Sequence, residues 1–324
     1  MVAQMTRRLL LLQLAGCAAL CAALALLFHQ SWPFAVLASL LAVFLARLAI
    51  TVNNFGLAWR YRSHTPDPYR LNAGRSLAMF CYEFYASLWS SSWAMPFKCF
   101  SDGGVAHSNT LPVLLIHGYG CNSGYWHAMQ KSLTEAGISH HAIDLEPVFG
   151  DIEDYVPMVH RAAEALCRDS GHNEMIILAH SMGGLAARAT MRVHGCTRIA
   201  RLITLGTPHH GTAIANYGVG MNCRQMHWRG NALTGTPSHW LRKLDEDEPA
   251  ATRARIVSIY SHHDNIVAPQ TSSHLQGARN IEFDGIGHVA LALHPRIHAC
   301  VINEIRAVSA QQFPGVTVSE EAFA

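Results

Sequence analysis

The chain has 324 residues, enough for one or two domains, with 24 basic and 22 acidic residues and a formal net charge of +2. That balance excludes the basic footprint of a nucleic-acid-binding protein. Charged residues make up only 14%, below the usual quarter, so part of the chain is expected not to face water. The nine cysteines contain no C-x-x-C pair, and Cys17 and Cys21 lie in an apolar run. The odd number left over fits a reducing compartment better than a full disulfide framework.

Residues 9–28 form an apolar run whose one strongly polar member is Gln13, long enough to cross a bilayer as a helix. His29-Gln30-Ser31-Trp32-Pro33 breaks the run, and 34–50 is apolar again except for Ser39 and Arg47. Pro33 suits the first turn of a new helix and Trp32 suits a membrane interface. Residues 1–50 therefore read as a transmembrane helical hairpin. A cleaved signal peptide and a lipoprotein are the rivals, since Leu14-Ala15-Gly16-Cys17 resembles a lipobox. Against both, the residues after Cys17 stay apolar. Arg7 and Arg8 precede the first helix, and Arg47, Arg60, Arg62, Arg70 and Arg75 flank the end of the second. The connecting loop has no Lys or Arg. Both ends then prefer the cytoplasmic side. The expected setting is a bacterial inner membrane with the main domain in the cytoplasm.

Residues 51–105 bridge the hairpin and the main domain. In 72–93, Leu77, Phe80, Cys81, Phe84 and Leu88 fall on one helical stripe, with Tyr82, Tyr85, Trp89 and Trp93 around it. Two readings stay open: a helix packed on the body, or one lying in the membrane interface. Ser101-Asp102-Gly103-Gly104 reads as a linker. From 111 onward apolar runs alternate with helix-length segments. Strands are expected at 112–116, 139–145, 175–179, 199–205, 256–260 and 280–283, and helices at 124–135, 152–168, 182–193 and 295–308. Such alternation predicts a mostly parallel, doubly wound α/β domain over 106–308, followed by a flexible tail at 309–324.

One turn organises that domain. Ile176-Ile177-Leu178-Ala179-His180-Ser181 runs as a strand into Met182-Gly183-Gly184 and a helix-forming run. A strand turning sharply into a helix with Ser at the apex is the nucleophile elbow of the α/β-hydrolase fold. Ala179 replaces the first glycine of G-x-S-x-G, and A-H-S-M-G-G resembles the variant in small Bacillus lipases. Asp264 follows the strand 256–260, and His288 follows 280–283 between permissive glycines. Ser181, Asp264, His288 is the chain order this fold uses. His117-Gly118-Tyr119-Gly120 follows an early strand, so the backbone N–H groups of Tyr119 and Met182 are the expected oxyanion donors. His117 reads as a loop brace. Asp284 is a rival for the acid, disfavoured by its place relative to the strand.

The resemblance to the small Bacillus lipases is most specific from Ser258 to Leu291, in S-I-Y-S-x-x-D-x-I-V, G-A-R-N-I and G-I-G-H-V. It covers roughly 112–293. Leu205-Gly206-Thr207-Pro208-His209-His210-Gly211-Thr212 is similar to the G-T-P-H-x-G segment of larger bacterial lipases. The resemblance implies an esterase or lipase working through Ser181, Asp264 and His288 on lipid-like acyl esters, with no cofactor and no metal. The chain departs from the compact members in its apolar N-terminus and in an insertion at 211–249, read as a cap. Tyr217, Met221, Trp228 and Trp240 of the insertion, with Val289, are candidates for substrate binding. Arg242-Lys243 and Asp245-Glu246-Asp247-Glu248 read as a solvated face or hinge. A thioesterase or amidase with the same triad, or a non-catalytic membrane-tethered binding protein on this fold, are the alternatives.

Overall fold

The computed structural model describes residues 1–99 and 110–312; the linker expected at 101–104 and the chain after 312 lie outside them. Two apolar helices open the chain, α1 (Val2–Leu26) and α2 (Trp32–Tyr61). Their most apolar stretches each reach a mean hydropathy of 2.3; none of the first and 17% of the second is buried. Pro33 sits in the first turn of α2, where its missing N–H is no loss. The second helix runs on through 51–61, beyond the hairpin boundary read at 50. No proline stops it there, and extending an existing helix costs far less than starting one.

Helix α3 (Ala73–Trp89) is capped by Asn72, whose side chain accepts the Arg75 N–H at 2.9 Å. Its inner side packs on the rest of the protein. Phe84 and Phe80 meet Phe44 and Phe55 of α2 with ring centroids 5.4 Å apart, and Glu83 and Ala86 are buried. Tyr85, Trp89, Trp93 and Phe97 continue at four-residue spacing past the end of α3, with centroids 5.7 to 6.4 Å apart; Tyr85, Trp93 and Phe97 are exposed, and Trp89 packs partly against the core. Leu77 and Cys81, placed on the apolar stripe by periodicity, are exposed.

The body is a six-stranded sheet of β1 (Val113–Ile116), β2 (His140–Ile143), β3 (Met175–His180), β4 (Ile199–Leu205), β5 (Ile256–Ser261) and β6 (Arg279–Phe283). Their order is β2-β1-β3-β4-β5-β6, and every neighbouring pair is parallel. Helices α4 (His127–Glu135) and α8 (Pro295–Gln312) cover one face; α5 (Ile152–Ser170) and α6 (Met182–His194) cover the other. Side chains alternate between the faces as a pleat demands. Val113, Leu115, Ile176 and Leu178 enter one core layer, and Leu114, Ile116, Ile177 and Ala179 enter the other.

Segment 211–249 holds a two-stranded ribbon (Trp228–Arg229 with Thr236–Pro237) and helix α7 (His239–Glu246). Leu241 and Leu244 of α7 are buried in the core layer beneath α5 and α6. The acidic run that follows is not a solvated face throughout. Glu248 is buried, and its carboxylate takes both arms of the fully buried Arg188, at 2.9 and 2.8 Å. The buried guanidinium of α6 needs a charged partner, and this one comes from far along the chain. The tail also starts later than expected: α8 continues to Gln312, and the buried Ser309 hydroxyl accepts the Leu111 N–H at 3.0 Å.

Candidate active site

Tyr119, Ser181, Asp264 and His288 follow the carboxyl ends of strands, where open α/β sheets form their crevice. Ser181 follows β3 with φ 55° and ψ −127°, a left-handed conformation that a non-glycine residue adopts only when its surroundings hold it there. The constraints are visible. Its N–H donates to the Leu205 carbonyl at 2.9 Å, and its own carbonyl accepts the Thr207 hydroxyl at 2.9 Å. The glycines after it have no room for a side chain. A Cβ on Gly183 would stand 2.5 Å from the His117 carbonyl oxygen, and one on Gly184 would stand 2.1 Å from Thr207 Oγ1. Ala179, the departure from the glycine pattern, lies wholly buried within β3, where its methyl is accommodated.

Asp264 and His288 come together from the loops after β5 and β6, with Oδ2 and Nδ1 2.7 Å apart. The other Asp264 oxygen accepts the N–H groups of Ile266 and Val267 at 2.8 and 2.7 Å, which fixes the carboxylate's orientation. Asn265 Oδ1 accepts the His288 N–H at 2.9 Å. Gly206 lets this pair approach the elbow: with φ 55°, a Cβ there would lie 3.0 Å from Asp264 Oδ2 and 3.2 Å from His288 Nδ1. Burial pulls the His288 imidazole down, but the charge and hydrogen bond of Asp264, with the charge of Glu83, outweigh it and leave the ring above its ordinary value. Asp284 is engaged elsewhere, by Arg75 at 2.5 Å and Arg296 at 3.1 Å.

Ser181, His288, Tyr119 and Val289 line one cavity of about 440 Å³. Met182 opens α6 directly after the serine, and its N–H belongs to the first turn, which has no helical acceptor. Neither it nor the Tyr119 N–H donates a hydrogen bond among the described residues. His117 braces this loop: one ring nitrogen lies 2.8 Å from the Gly118 carbonyl, and the other accepts the Leu145 N–H at 3.0 Å.

The insertion candidates are placed differently. Tyr217 is exposed, with its hydroxyl 3.1 Å from that of Tyr61 on α2. Met221 is exposed, Trp228 donates to the Asn231 carbonyl in its own ribbon, and Trp240 donates to Glu153 on α5. These four do not line the cavity; of the segment 211–249, Ile214 does. The cavity wall comes instead from α2 and α3, through Arg47, Ile50, Thr51, Asn54, Phe84 and Leu88.

Two residues at the site carried no signal in the sequence. Glu83 of α3 is fully buried, and its two carboxylate oxygens accept the N–H groups of Val289 and Ala290 at 3.0 and 2.9 Å. Burial pushes its carboxyl above the usual range, against the pull of those two N–H bonds and of His288. His180, beside Ser181, lies 3.1 Å through Nε2 from the His288 carbonyl, and its ring centroid is 4.5 Å from that of His288. Burial and the neighbouring His288 charge hold it well below its ordinary value, so it stays neutral and donates from Nε2.

The model of the alpha/beta hydrolase family matches residues 113–275, half of the chain. Among solved structures, the mature lipase BlEst2 of Bacillus licheniformis is 19% identical, with 60% of this chain and 92% of that chain covered and a TM-score of 0.47. Lipase B of Aspergillus fumigatus is 16% identical, with 64% of this chain and 54% of that chain covered and a TM-score of 0.51. A thermophilic esterase from Thermogutta terrifontis is 18% identical, covering 65% and 93%, with a TM-score of 0.46. This chain spans about half the length of the Aspergillus lipase, whose likeness speaks for the fold alone. With the sheet order and the strained serine turn, the family match leads to one statement: the chain belongs to the alpha/beta hydrolase family.

Proposed function

We propose that the protein is a serine hydrolase of carboxylic esters, lipase-like in its substrates, held at a membrane by its two N-terminal helices. The observation that carries the reading is the 2.7 Å contact between His288 and Asp264 in one buried site with the strained Ser181. Asp264 accepts a hydrogen bond from Nδ1–H, which holds the proton there and leaves Nε2 as the basic nitrogen. His288 then takes the Ser181 proton as the oxygen attacks an acyl carbonyl. The tetrahedral oxygen receives the N–H groups of Tyr119 and Met182. His288 returns the proton to the departing alcohol, and water releases the acid from the acyl-enzyme by the reverse sequence. Asp264 stabilises the imidazolium that forms in each half.

The test is direct. Ser181→Ala is expected to abolish turnover of p-nitrophenyl acyl esters while the protein stays folded; undiminished turnover overturns the reading. A fluorophosphonate probe should label Ser181 and fail to do so after His288→Ala. Absence of labelling in the native protein would favour a binding protein on the same fold. The triad chemistry does not name the leaving group, so esters are to be compared with thioesters and amides of the same acyl chain. The basic residues around α1 and α2 support a cytoplasmic domain at a bacterial inner membrane.

A further inference from the structure

The catalytic cavity is continuous with the membrane helices. Besides the wall that α2 and α3 give it, a second cavity of about 680 Å³ lies along α1, α2 and α3, lined by side chains such as Leu10, Leu14, Leu40 and Phe44. Arg47 and Leu88 line both cavities. Arg47 is thus the polar group standing where an apolar groove among the helices meets the space in front of Ser181.

Its partners hold it in place without neutralising it. Nη2 and Nε lie 2.6 and 3.2 Å from Gln13 Oε1 of α1, and Nη1 lies 2.8 Å from Ser91 Oγ. Among the described residues no carboxylate lies within ion-pair distance of it, although most buried or half-buried arginines of this chain have one. An arginine within an apolar helix is costly, and such residues usually mark a functional site. Arg7 lines the same groove from α1. Arg47 is about 21 Å along α2 from Pro33 at the helical rise, deep enough to stand near the far face of a bilayer of about 30 Å. Tyr85 on α3 and Trp93 beyond its end are exposed aromatics, as side chains at a membrane interface are.

We infer that the substrate is a membrane lipid ester carrying a phosphate, whose anion binds the Arg47 guanidinium while an acyl tail occupies the groove between α1 and α2 and the ester carbonyl faces Ser181. The guanidinium fork matches phosphate oxygens two at a time, and a bilayer supplies phosphate and acyl ester on the same molecule. Hydrolysis adds one water: Ser181 takes the acyl group and the lysophospholipid alcohol departs with the proton from His288. Water then releases the fatty acid. This inference rests on the proposed role of Ser181, so its test includes an arm that needs no turnover.

In full-length protein, kcat/KM is measured on phosphatidylglycerol and on diacylglycerol of the same acyl chains, in mixed micelles. Arg47→Gln is expected to lower the ratio of the two by about 10- to 100-fold, the worth of a charge-assisted contact, and Arg47→Lys by less, because charge remains and the fork is lost. An equal loss on both lipids in Arg47→Gln overturns the inference, as does a wild-type preference for diacylglycerol. Fluorophosphonate labelling of the variants shows that the site is folded. In the second arm, Ser181→Ala and the Ser181→Ala, Arg47→Gln double variant are titrated with fluorescent phosphatidylglycerol and diacylglycerol. Weaker binding of the phospholipid alone supports the inference even where no ester is turned over, which would instead count against the role of Ser181. Displacement of the phospholipid by inorganic phosphate at comparable concentration would mean a free-anion site and would overturn the lipid assignment.

Discussion

His288 carries the residue-scale consequence of the site. Its ring stands above the ordinary imidazole value because Asp264 and Glu83 outweigh the effect of burial. A general base works only when neutral. With His288 as the proposed base, activity is expected to rise as pH climbs through the raised value and to be lost below it. The acid limb of kcat/KM, which reports the free enzyme, is expected above about 6.5, the unperturbed histidine value. A limb below that value in a pH-rate profile would show that the Asp264 contact does not govern His288. The proposal of Ser181, Asp264 and His288 rests on local patterns in the chain. Each follows a strand in the order the fold uses, and local motifs surround each. His180 was not readable as a support, because its link to the His288 carbonyl joins residues 108 apart in sequence.

At the scale of elements, α3 decides how the histidine loop is held. Periodicity predicts an amphipathic helix here, and the helix is present. A pattern of apolar spacing cannot say that Glu83, on its buried side, meets two N–H groups just past His288. Glu83→Gln keeps the shape but turns an amide NH₂ toward a backbone donor and removes a negative charge. It is expected to lower kcat and to move the acid limb of kcat/KM to lower pH, because one of the charges that raises His288 is gone. Lower activity with an unmoved limb in the pH profile would leave Glu83 a purely structural brace. The insertion gives the opposite lesson. Its aromatic residues suggested a cap lining the site, yet Trp240 binds Glu153, Tyr217 meets Tyr61, and the segment packs beside the body. Composition identifies apolar side chains but not which surface they will cover.

For the whole molecule, the second apolar helix and the hydrolase body share one cavity. Helix α2 supplies its wall and α3 links that wall to the histidine loop. The orientation proposed from the basic residues is checked by reporter fusions after Ile50 and after Gln312. Phosphatase inactivity and cytoplasmic reporter activity are expected at both; phosphatase activity at either would refute a cytoplasmic hydrolase domain. Strand periodicity, the serine turn and the apolar N-terminal runs were determined by the sequence alone, because each rests on neighbours within a few residues. The tertiary structure alone decided that α2 and α3 wall the cavity, that Glu83 braces the His288 loop, and that Arg47 lines both the groove and the cavity at Ser181. Those contacts join segments roughly 40 to 200 residues apart, and no local pattern of side chains encodes which distant surface will meet them.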